Sequence, residues 1–338
     1  MKTIIWKVTD HSHDHAIKDA ASYIKNGHVV AFPTETVYGL GADATNETAI
    51  SKIFKAKGRP QDNPLIVHVA TKAQLENLVT KLPSKVSILI DQFSPGALTY
   101  ILPSNGKCAV NVTAGLATVA VRIPDHPVAL RLLKEADVPI AAPSANLSGK
   151  PSPTTAEHVW HDLNGKIAGI IDSGPTGIGL ESTVIDCTGD IPVILRPGGI
   201  TVDQLRATVG DVTLDPALIN KVEKPKSPGM KYKHYAPEVP LWIVDGDVAK
   251  IQHWINYEKN NGKRVGVLVH SNLVEHLHAD HIIDLGNTSE EIASGLYTAL
   301  RTFQKGSVDL IICEAFPEHG IGQAIMNRLK KAASKYIR

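Results

Sequence analysis

The stretch that decides the fold of the first part of the chain is IAGIIDSGPTGIGLESTVIDCTGDIPVILRPG, residues 167–198. Its apolar, β-branched runs at 167–174, 182–189 and 192–198 are separated only by short loops. Strands that follow one another without an intervening helix pair antiparallel or in a mixed sheet. We therefore predict an α/β chain whose N-terminal domain is built on a twisted mixed sheet.

Upstream of this stretch, strand-like and helix-like segments alternate at uneven spacing. HVVAFP at 28–33 predicts a strand, and NETAISKIFKAKGR at 46–59 predicts a helix capped by Asn46. TKAQLENLVTKL at 71–82 and SKVSILIDQF at 84–93 both predict helices. The same mixed sheet is therefore expected to take up the chain from its start to about residue 210.

Downstream of it, residues 211–239 contain several prolines and no clear hydrophobic period, which predicts a linker. From residue 240 apolar strands and amphipathic helices alternate strictly, as in RVGVLVH at 264–270 and SEEIASGLYTALRTFQKG at 289–306. This alternation predicts a smaller, parallel, doubly wound Rossmann-like domain. The predicted boundaries are thus 1–210, 211–239 and 240–338.

Composition narrows the class of protein. The chain has 338 residues, 43% hydrophobic and 20% charged, with a formal net charge of +1, so no general affinity for polyanions is implied. Its three cysteines are far apart and match neither a disulfide framework nor a zinc pattern. Residues 1–30 lack the plan of a signal peptide, and no apolar run reaches the roughly 20 residues of a membrane helix. We expect a soluble cytoplasmic protein with no membrane partner.

Two loops at predicted strand ends carry polar groups suited to a ligand. FPTETVYGLGADA at 32–44 offers two threonines and a glutamate, with Gly39 and Gly41 to let the backbone approach a ligand. A capped turn explains the same residues equally well. KAKGRPQDNPLIVHV at 55–69 places Lys57 and Arg59 before a polar turn, which favours phosphate binding over a solvated helix end.

Other strand ends add arginines and hydroxyls. Arg122 lies inside the apolar run VAVRIP, where a charge requires either a buried ion pair or a ligand. APSANLSGKPSPT at 142–154, GLESTVID at 179–186 and LRPGG at 195–199 contribute hydroxyl, amide and guanidinium groups. Together these loops predict one anion-binding pocket.

Several chemistries have no sequence signal. There is no G-x-x-x-x-G-K-[ST], no G-x-S-x-G and no H-E-x-x-H. HGIGQAI at 319–325 has two glycines before a helix, which favours tight packing over dinucleotide binding. The histidine runs at 11–15 and 276–281 are interpreted as solvated loops, so we predict no protein metal ligands.

FPTETVYGLG, KAKGRPQDNPL, SPGALT, VRIP, PSANLSGKPSPT, ESTVID and RPG, in this order, resemble the Sua5/YrdC/YwlC family. The length and SPGMKYKHYAP at 227–237 are similar to its long, two-domain Sua5 branch, with a YrdC-like catalytic domain and a C-terminal Sua5 domain. The resemblance implies an L-threonylcarbamoyladenylate synthase, a nucleotidyltransferase that joins L-threonine, bicarbonate or CO2 and ATP and releases pyrophosphate. Its product serves threonylcarbamoyladenosine (t6A) formation at position 37 of tRNAs that read codons beginning with A.

The resemblance also implies roles for particular residues. Lys57 and Arg59 are expected to be catalytic. Contacts with ATP are expected at Arg59, Asn63, Thr118, Ser144, Ser152, Arg196 and Tyr235. Contacts with L-threonine are expected at Thr36, His68, Arg122, Ala142 and Ser182. The linker is expected to close over the pocket as a lid, with Tyr235 against the nucleotide and Mg²⁺ arriving with ATP.

Two alternatives stay open at this point. One is a module that binds double-stranded RNA or tRNA, for which binding should weaken steeply with salt. The other is a carbamoyl-transfer enzyme that acts on a different amine. A partner such as the threonylcarbamoyl transferase, or an indirect contact with tRNA, is compatible with the resemblance.

Overall fold

The computed structural model describes residues 2–8, 14–219 and 235–338. The described residues fall into two compact units. The first lies within Met1–Ser148, Pro153–Gly177 and Glu181–Lys231, and the second within Gly149–Ser152, Ile178–Leu180 and Tyr232–Arg338. The predicted domain boundaries stay a prediction, and residues 227–234 of the predicted lid lie outside the described residues.

The described part of the first unit contains eleven strands and nine helices. The strands are β1 (Ile4–Lys7), β2 (Val30–Phe32), β3 (Gly39–Asp43), β4 (Ile66–His68), β5 (Leu98–Pro103), β6 (Thr118–Arg122), β7 (Ile140–Ala141), β8 (Gly169–Asp172), β9 (Thr183–Asp186), β10 (Val193–Arg196) and β11 (Thr213–Leu214). The helices are α1 (Asp14–Lys25), α2 (Glu47–Lys57), α3 (Lys72–Glu76), α4 (Ser84–Phe93), α5 (Val110–Thr113), α6 (Pro127–Ala136), α7 (Ala156–Leu163), α8 (Val202–Val209) and α9 (Pro216–Ile219).

These strands form one sheet in the order β1-β8-β2-β3-β7-β4-β6-β5-β9-β10-β11. The three strands of the 167–198 stretch do not stay together. β8 pairs parallel with β1 and β2, whereas β9 pairs parallel with β5 and antiparallel with β10. The mixed sheet predicted from this stretch is confirmed.

The central strands have two unlike faces because successive side chains alternate. Val119 and Val121 of β6 point into the main core. Ala120, on the opposite face, belongs to a small apolar cluster with Ile101, Val184 and Leu195. Thr118 and Arg122 share that second face of β6, as does His68 of β4, which is in register with Arg122. The second face therefore combines an apolar patch with polar groups at its ends.

The glycines of the 32–44 stretch have a packing role that we did not predict. Gly39 and Gly41 lie in the buried strand β3, antiparallel to β2. A Cβ atom at Gly41 would lie 2.7 Å from the Phe32 ring and 2.8 Å from Ile140 Cγ2. The fold's own side chains therefore account for the missing side chain at Gly41, and the approach of a ligand to this backbone stays a prediction.

The helix predictions hold best where the ends carry local signals. Asn46 caps α2 by accepting from Ala49 N, as predicted. The helix predicted over 71–82 is shorter, since only Lys72–Glu76 is helical. The N–H of Thr80 donates to the carbonyl of Pro103, and Val79 forms a bridge with Ser104. Pairing with the end of β5 thus replaces the last turns of the predicted helix.

The second unit contains a separate parallel sheet in its described residues. Its strands are β12 (Leu241–Val244), β13 (Val265–Val269), β14 (His281–Asp284), β15 (Leu310–Glu314) and β16 (Lys335–Ile337), and its helices are α10 (Val248–Asn260), α11 (Ser271–Val274), α12 (Ser289–Thr302) and α13 (Gly322–Ala332). The order is β14-β13-β15-β12-β16, with all pairs parallel. The doubly wound prediction is confirmed, with β16 as a strand we did not predict. None of the described helices is long and apolar enough to span a bilayer.

Candidate active site

The turn between β2 and β3 is held by the side chain of Thr34. Its hydroxyl donates to the carbonyl of Val37 at 2.7 Å and accepts from the N–H groups of Thr36 and Val37, both at 3.2 Å. The hydroxyls of Thr34 and Thr36 are 2.8 Å apart. Such local side-chain bonds fix a tight turn, so Glu35 and Thr36 occupy defined positions.

Arg122 reaches this turn from the end of β6. Its Nε donates to the carbonyl of Gly96 at 3.1 Å, its Nη1 to Thr36 Oγ1 at 3.0 Å and its Nη2 to Glu35 Oε1 at 2.6 Å. The arginine is buried, with 4% of its surface exposed. Of the two explanations considered for a charge in an apolar strand, the ion pair is present. The three hydrogen bonds together engage three of the five guanidinium N–H groups, so a ligand could still be held by the others.

His68 lies next to Arg122 because β4 and β6 are parallel and in register at these residues. Its ring meets the Phe32 ring edge-on, with centroids 6.0 Å apart. Burial lowers the pKa of His68 to about 3, and the charge of Arg122 adds to this effect. His68 is therefore a neutral imidazole near pH 7.

A second cluster forms where β5, β9 and β10 meet. The hydroxyls of Thr99 and Ser182 are 2.8 Å apart. Arg196 donates to the carbonyl of Ser182 from Nε at 3.1 Å and from Nη2 at 2.9 Å, and Nη2 is also 3.2 Å from Ser182 Oγ. The carbonyl of Gly96 accepts from Arg122, and Gly96 lies just before β5, the strand that carries Thr99. This cluster therefore lies beside the first.

A third cluster joins the end of α2 to the loop after β7. The buried Lys57 ammonium donates to the carbonyls of Ser144 at 2.5 Å and Asn146 at 2.6 Å. The hydroxyl of Ser144 donates to Asn146 Oδ1 at 2.6 Å. The N–H of Ala145 donates to the carbonyl of Tyr38, which ties this loop to the turn between β2 and β3 that carries Thr36. Lys57 therefore shapes the loop that carries Ser144.

The remaining predicted residues of the first unit lie in the loop between α2 and β4, at the start of β6 and directly after β7. Arg59 Nη2 is 3.4 Å from the carbonyl of Asn63 and 3.3 Å from that of Pro64. Thr118 and Arg122 begin and end the five-residue strand β6, which places them roughly 13 Å apart. Ala142 donates its N–H to the carbonyl of Ile66 at 2.8 Å, at the start of β4.

Ser152 and Tyr235 belong to the second unit. The ring of Tyr235 stacks on that of Tyr297, with centroids 5.5 Å apart and planes 23° apart. The guanidinium of Arg328 lies 5.6 Å from the centroid of the Tyr235 ring. Tyr235 has a φ of 63°, which is uncommon for a residue with a side chain. These packing contacts are ones that sequence reasoning did not predict.

Thr36, His68 and Arg122 come together directly, and so do Ser182 with Arg196 and Lys57 with Ser144. Glu35 was counted among the groups of the 32–44 loop that suit a ligand but was given no role of its own, although its position between two threonines after a buried strand was a visible signal. Thr99 was also missed, and its single hydroxyl in an apolar strand was the weaker signal. No group of three or more metal-ligating side chains occurs in the described parts of the chain, and His11 and His13 lie outside them.

Comparison with known proteins gives the class. Residues 22–198 match the family profile Sua5_yciO_yrdC, described as "Telomere recombination". Residues 200–334 match Sua5_C, described as "Threonylcarbamoyl-AMP synthase, C-terminal domain". The chain belongs to the Sua5/YciO/YrdC family, and the family resemblance inferred from the motifs is confirmed.

Similar proteins cover both units. The threonylcarbamoyl-AMP synthase of Bacillus subtilis is 56% identical over 98% of each chain. That of Pyrococcus abyssi is 48% identical over 99% of each chain. A crystal structure described as P. abyssi Sua5 complexed with L-threonine superposes with a TM-score of 0.94 at 46% identity, covering 99% of this chain and 100% of that one.

Proposed function

We propose that this chain is a threonylcarbamoyl-AMP synthase, a nucleotidyltransferase that converts L-threonine, bicarbonate or CO2 and ATP into L-threonylcarbamoyl-AMP and pyrophosphate. The observation that carries the proposal is the convergence of Thr36, His68 and Arg122 at one end of a polar sheet face. The names of full-length relatives at 56% and 48% identity support the same activity. In this proposal t6A formation at position 37 of tRNA consumes the product.

L-Threonine is assigned to the end of β4 and β6. The free N–H groups of Arg122 suit a carboxylate, because a guanidinium offers donors in a planar fork. Thr36 and Ser182 supply hydroxyls, and Ala142 supplies a small apolar contact for the methyl group. His68 contributes a neutral imidazole rather than a second positive charge.

ATP is assigned to the rest of the same face, from the Thr118 end of β6 across to Arg196, which bonds to Ser182 beside the threonine position. The apolar cluster of Ile101, Ala120, Val184 and Leu195 offers a floor for adenosine between the two ends. Arg59, Asn63, Thr118, Ser144 and Arg196 are the proposed contacts in the first unit. Because Lys57 binds the carbonyls of Ser144 and Asn146, we assign it the role of holding this loop in place as well as neutralising phosphate charge.

The chemistry requires positioning and charge neutralisation more than a protein nucleophile. The threonine ammonium group first loses one proton, and its nitrogen attacks the carbon of CO2. The nitrogen then loses a second proton, which gives the carbamate. A carbamate oxygen then attacks the α-phosphorus of ATP, and the bond to the β-phosphate oxygen breaks as pyrophosphate leaves. Arg59 and Arg196 stabilise the charge that accumulates on the phosphates. A buried site protects the carbamate and the mixed anhydride from water.

Mg²⁺ is proposed to enter with ATP, bound to phosphate oxygens. The candidate site is rich in arginine and hydroxyl groups rather than carboxylates, and Mg²⁺ in such sites keeps several waters and uses substrate phosphates as ligands. Ser152 and Tyr235 of the second unit stay predicted ATP contacts. A lid in the linker, docking of the threonylcarbamoyl transferase and contact with tRNA likewise stay predictions.

Mass spectrometry of the reaction mixture tests the proposal. With ATP, L-threonine and ¹³C-bicarbonate, the protein is expected to form an adenylate that carries the labelled carbon, with one pyrophosphate per adenylate. Replacing L-threonine by L-serine or supplying carbamoyl phosphate distinguishes an enzyme for another amine. Pyrophosphate release without the labelled adenylate would overturn the proposal. Salt-sensitive binding of RNA without any adenylate would favour the RNA-binding alternative.

A further inference from the structure

Glu35 has a carboxylate oxygen that the surrounding fold does not use. Oε1 accepts from Arg122, whereas Oε2 is buried and has no hydrogen-bond partner among residues 2–8, 14–219 and 235–338. The side chain as a whole is 13% exposed. Leaving a buried polar group unpaired costs about 1–3 kcal/mol, so a buried oxygen of this kind indicates a position reserved for a ligand group.

The unused oxygen lies next to the assigned threonine carboxylate. Arg122 contacts Glu35 and Thr36 simultaneously, at 2.6 Å and 3.0 Å. In an α-amino acid the amino and carboxylate groups are attached to the same carbon. If the carboxylate of L-threonine is held by the remaining N–H groups of Arg122, the amino group of the same molecule lies close to Glu35, whose Oε2 can accept a hydrogen bond.

The other titratable groups around Glu35 leave the carboxylate as the proton acceptor. Arg122 is charged at any physiological pH. Burial holds the pKa of His68 at about 3. Burial also lowers the pKa of His126, an effect that Glu35 and Asp125 oppose. Both imidazoles are thus poor at holding a proton, and a carboxylate is the anion available to attract an ammonium group.

We propose that Glu35 is the residue that receives the α-amino group of L-threonine and accepts the proton that this group must lose before it attacks CO2. This inference rests on the proposed function. In the step, the ammonium nitrogen gives one proton to Glu35 Oε2 and uses the freed electron pair for the new bond to the carbon of CO2. After the attack the nitrogen releases a second proton to solvent, which leaves the carbamate N–H. Glu35 then returns the proton to solvent before the next turnover. Oε1 stays bonded to Arg122, which keeps the carboxylate aimed at the amino group.

Binding measurements test the recognition step without relying on catalysis. Wild-type protein is titrated with L-threonine and with (2S,3R)-2,3-dihydroxybutanoate, which has a hydroxyl in place of the amino group. Wild type is expected to prefer L-threonine by at least 30-fold, roughly the loss of a hydrogen bond to a charged group. Glu35→Gln, which keeps an oxygen for Arg122, is expected to reduce that preference to a few-fold. An unchanged preference in Glu35→Gln overturns the proposal.

Kinetics test the proton-transfer step. Glu35→Gln is expected to lower kcat about 100-fold, the range of general base catalysis. The loss should be largest at low pH and shrink as the free amine becomes available in solution. A uniform loss at every pH, together with a lower Tm, contradicts the base role and indicates a structural one. Activity within twofold of wild type contradicts it as well.

Asp43→Asn is the matched control, because Asp43 is a buried carboxylate of the same unit that, among the described residues, accepts from the N–H and hydroxyl of Thr45. Its substrate preference and pH profile should equal those of wild type. If Glu35→Gln loses the preference that wild type shows, yet wild type makes no adenylate, the proposed function fails and the assignment of Glu35 to the amino group stands. If adenylate forms but Glu35→Gln behaves as wild type, the proposed function stands and the assignment of Glu35 fails.

Discussion

Replacing Arg122 by lysine tests the assignment of the threonine carboxylate. Arg122 makes bonds to three separate groups, the carbonyl of Gly96, the hydroxyl of Thr36 and the carboxylate of Glu35. Lysine keeps the charge but replaces a planar fork by one ammonium on a flexible stem, so it cannot reproduce this spread of donors. The variant should therefore retain the ion pair with Glu35 and lose the orientation of the donors assigned to threonine.

The expected magnitude follows from the bond that is lost. A hydrogen bond to a charged group contributes about 1.5–3 kcal/mol, and 1.4 kcal/mol corresponds to about tenfold in affinity. Arg122→Lys should therefore raise the Kd for L-threonine by about 10- to 100-fold. Isothermal titration calorimetry without ATP measures this change directly, so no catalytic step enters the result.

A control arginine separates this effect from a general one. Arg131 is partly exposed and pairs with Asp14 on the surface, so Arg131→Lys should leave the Kd within about twofold of wild type. Circular dichroism checks that Arg122→Lys is folded. A folded Arg122→Lys protein that binds L-threonine within threefold of wild type would show that the carboxylate is held elsewhere.

Three further predictions concern stability. His68 has a pKa of about 3 in the fold and about 6.5 when unfolded; only the unfolded form binds its proton between these values, so stability falls as pH drops from 6.5 to 3. When the pH drops from 7 to 4.5, the free energy of unfolding of His68→Asn, measured with urea, should fall by about 3 kcal/mol less than that of wild type. Equal falls in the two proteins would contradict the burial of a neutral ring. Lys57→Met should lower the free energy of unfolding by about 2–4 kcal/mol because two buried carbonyls lose a charged donor, whereas the exposed neighbour Lys55→Met should change it by less than about 0.5 kcal/mol; similar values for both would refute the role given to Lys57. Gly41→Ala should destabilise by about 1–3 kcal/mol through its clash with Phe32 and Ile140, and the exposed Gly189→Ala is the control; an unchanged Tm for Gly41→Ala would contradict the packing reason for that glycine.

The parts of the fold that were predictable carry their cause nearby in the sequence. Asn46 caps α2 through a bond to a residue three positions later, so the signal is local. The three runs of 167–198 exclude helices between them by length alone. β3 was missed because GLGAD lacks the β-branched residues that mark strands. Its glycines are explained by Phe32 and Ile140, and contacts of that kind appear only in the folded chain.

In the candidate site, too, features with a local cause in the sequence were predictable, and contacts between distant residues were not. Arg122 could be singled out because a charge inside an apolar strand requires a partner. The partner, Glu35, lies 87 positions earlier in the sequence, and no local pattern connects the two. Lys57 was expected to meet phosphate, but its bonds to the carbonyls of Ser144 and Asn146 depend on how a distant loop packs against α2. Residue types were thus predictable from the sequence, whereas their pairing required the structure.

A crystal structure of the protein with L-threonine and a non-hydrolysable ATP analogue tests the central claim most directly. We predict that the threonine carboxylate lies on Arg122, its amino group on Glu35 and the phosphates toward Arg59 and Arg196, along one face of the first sheet. Threonine bound away from the ends of β4 and β6, or a nucleotide on the opposite face of the sheet, would contradict the account.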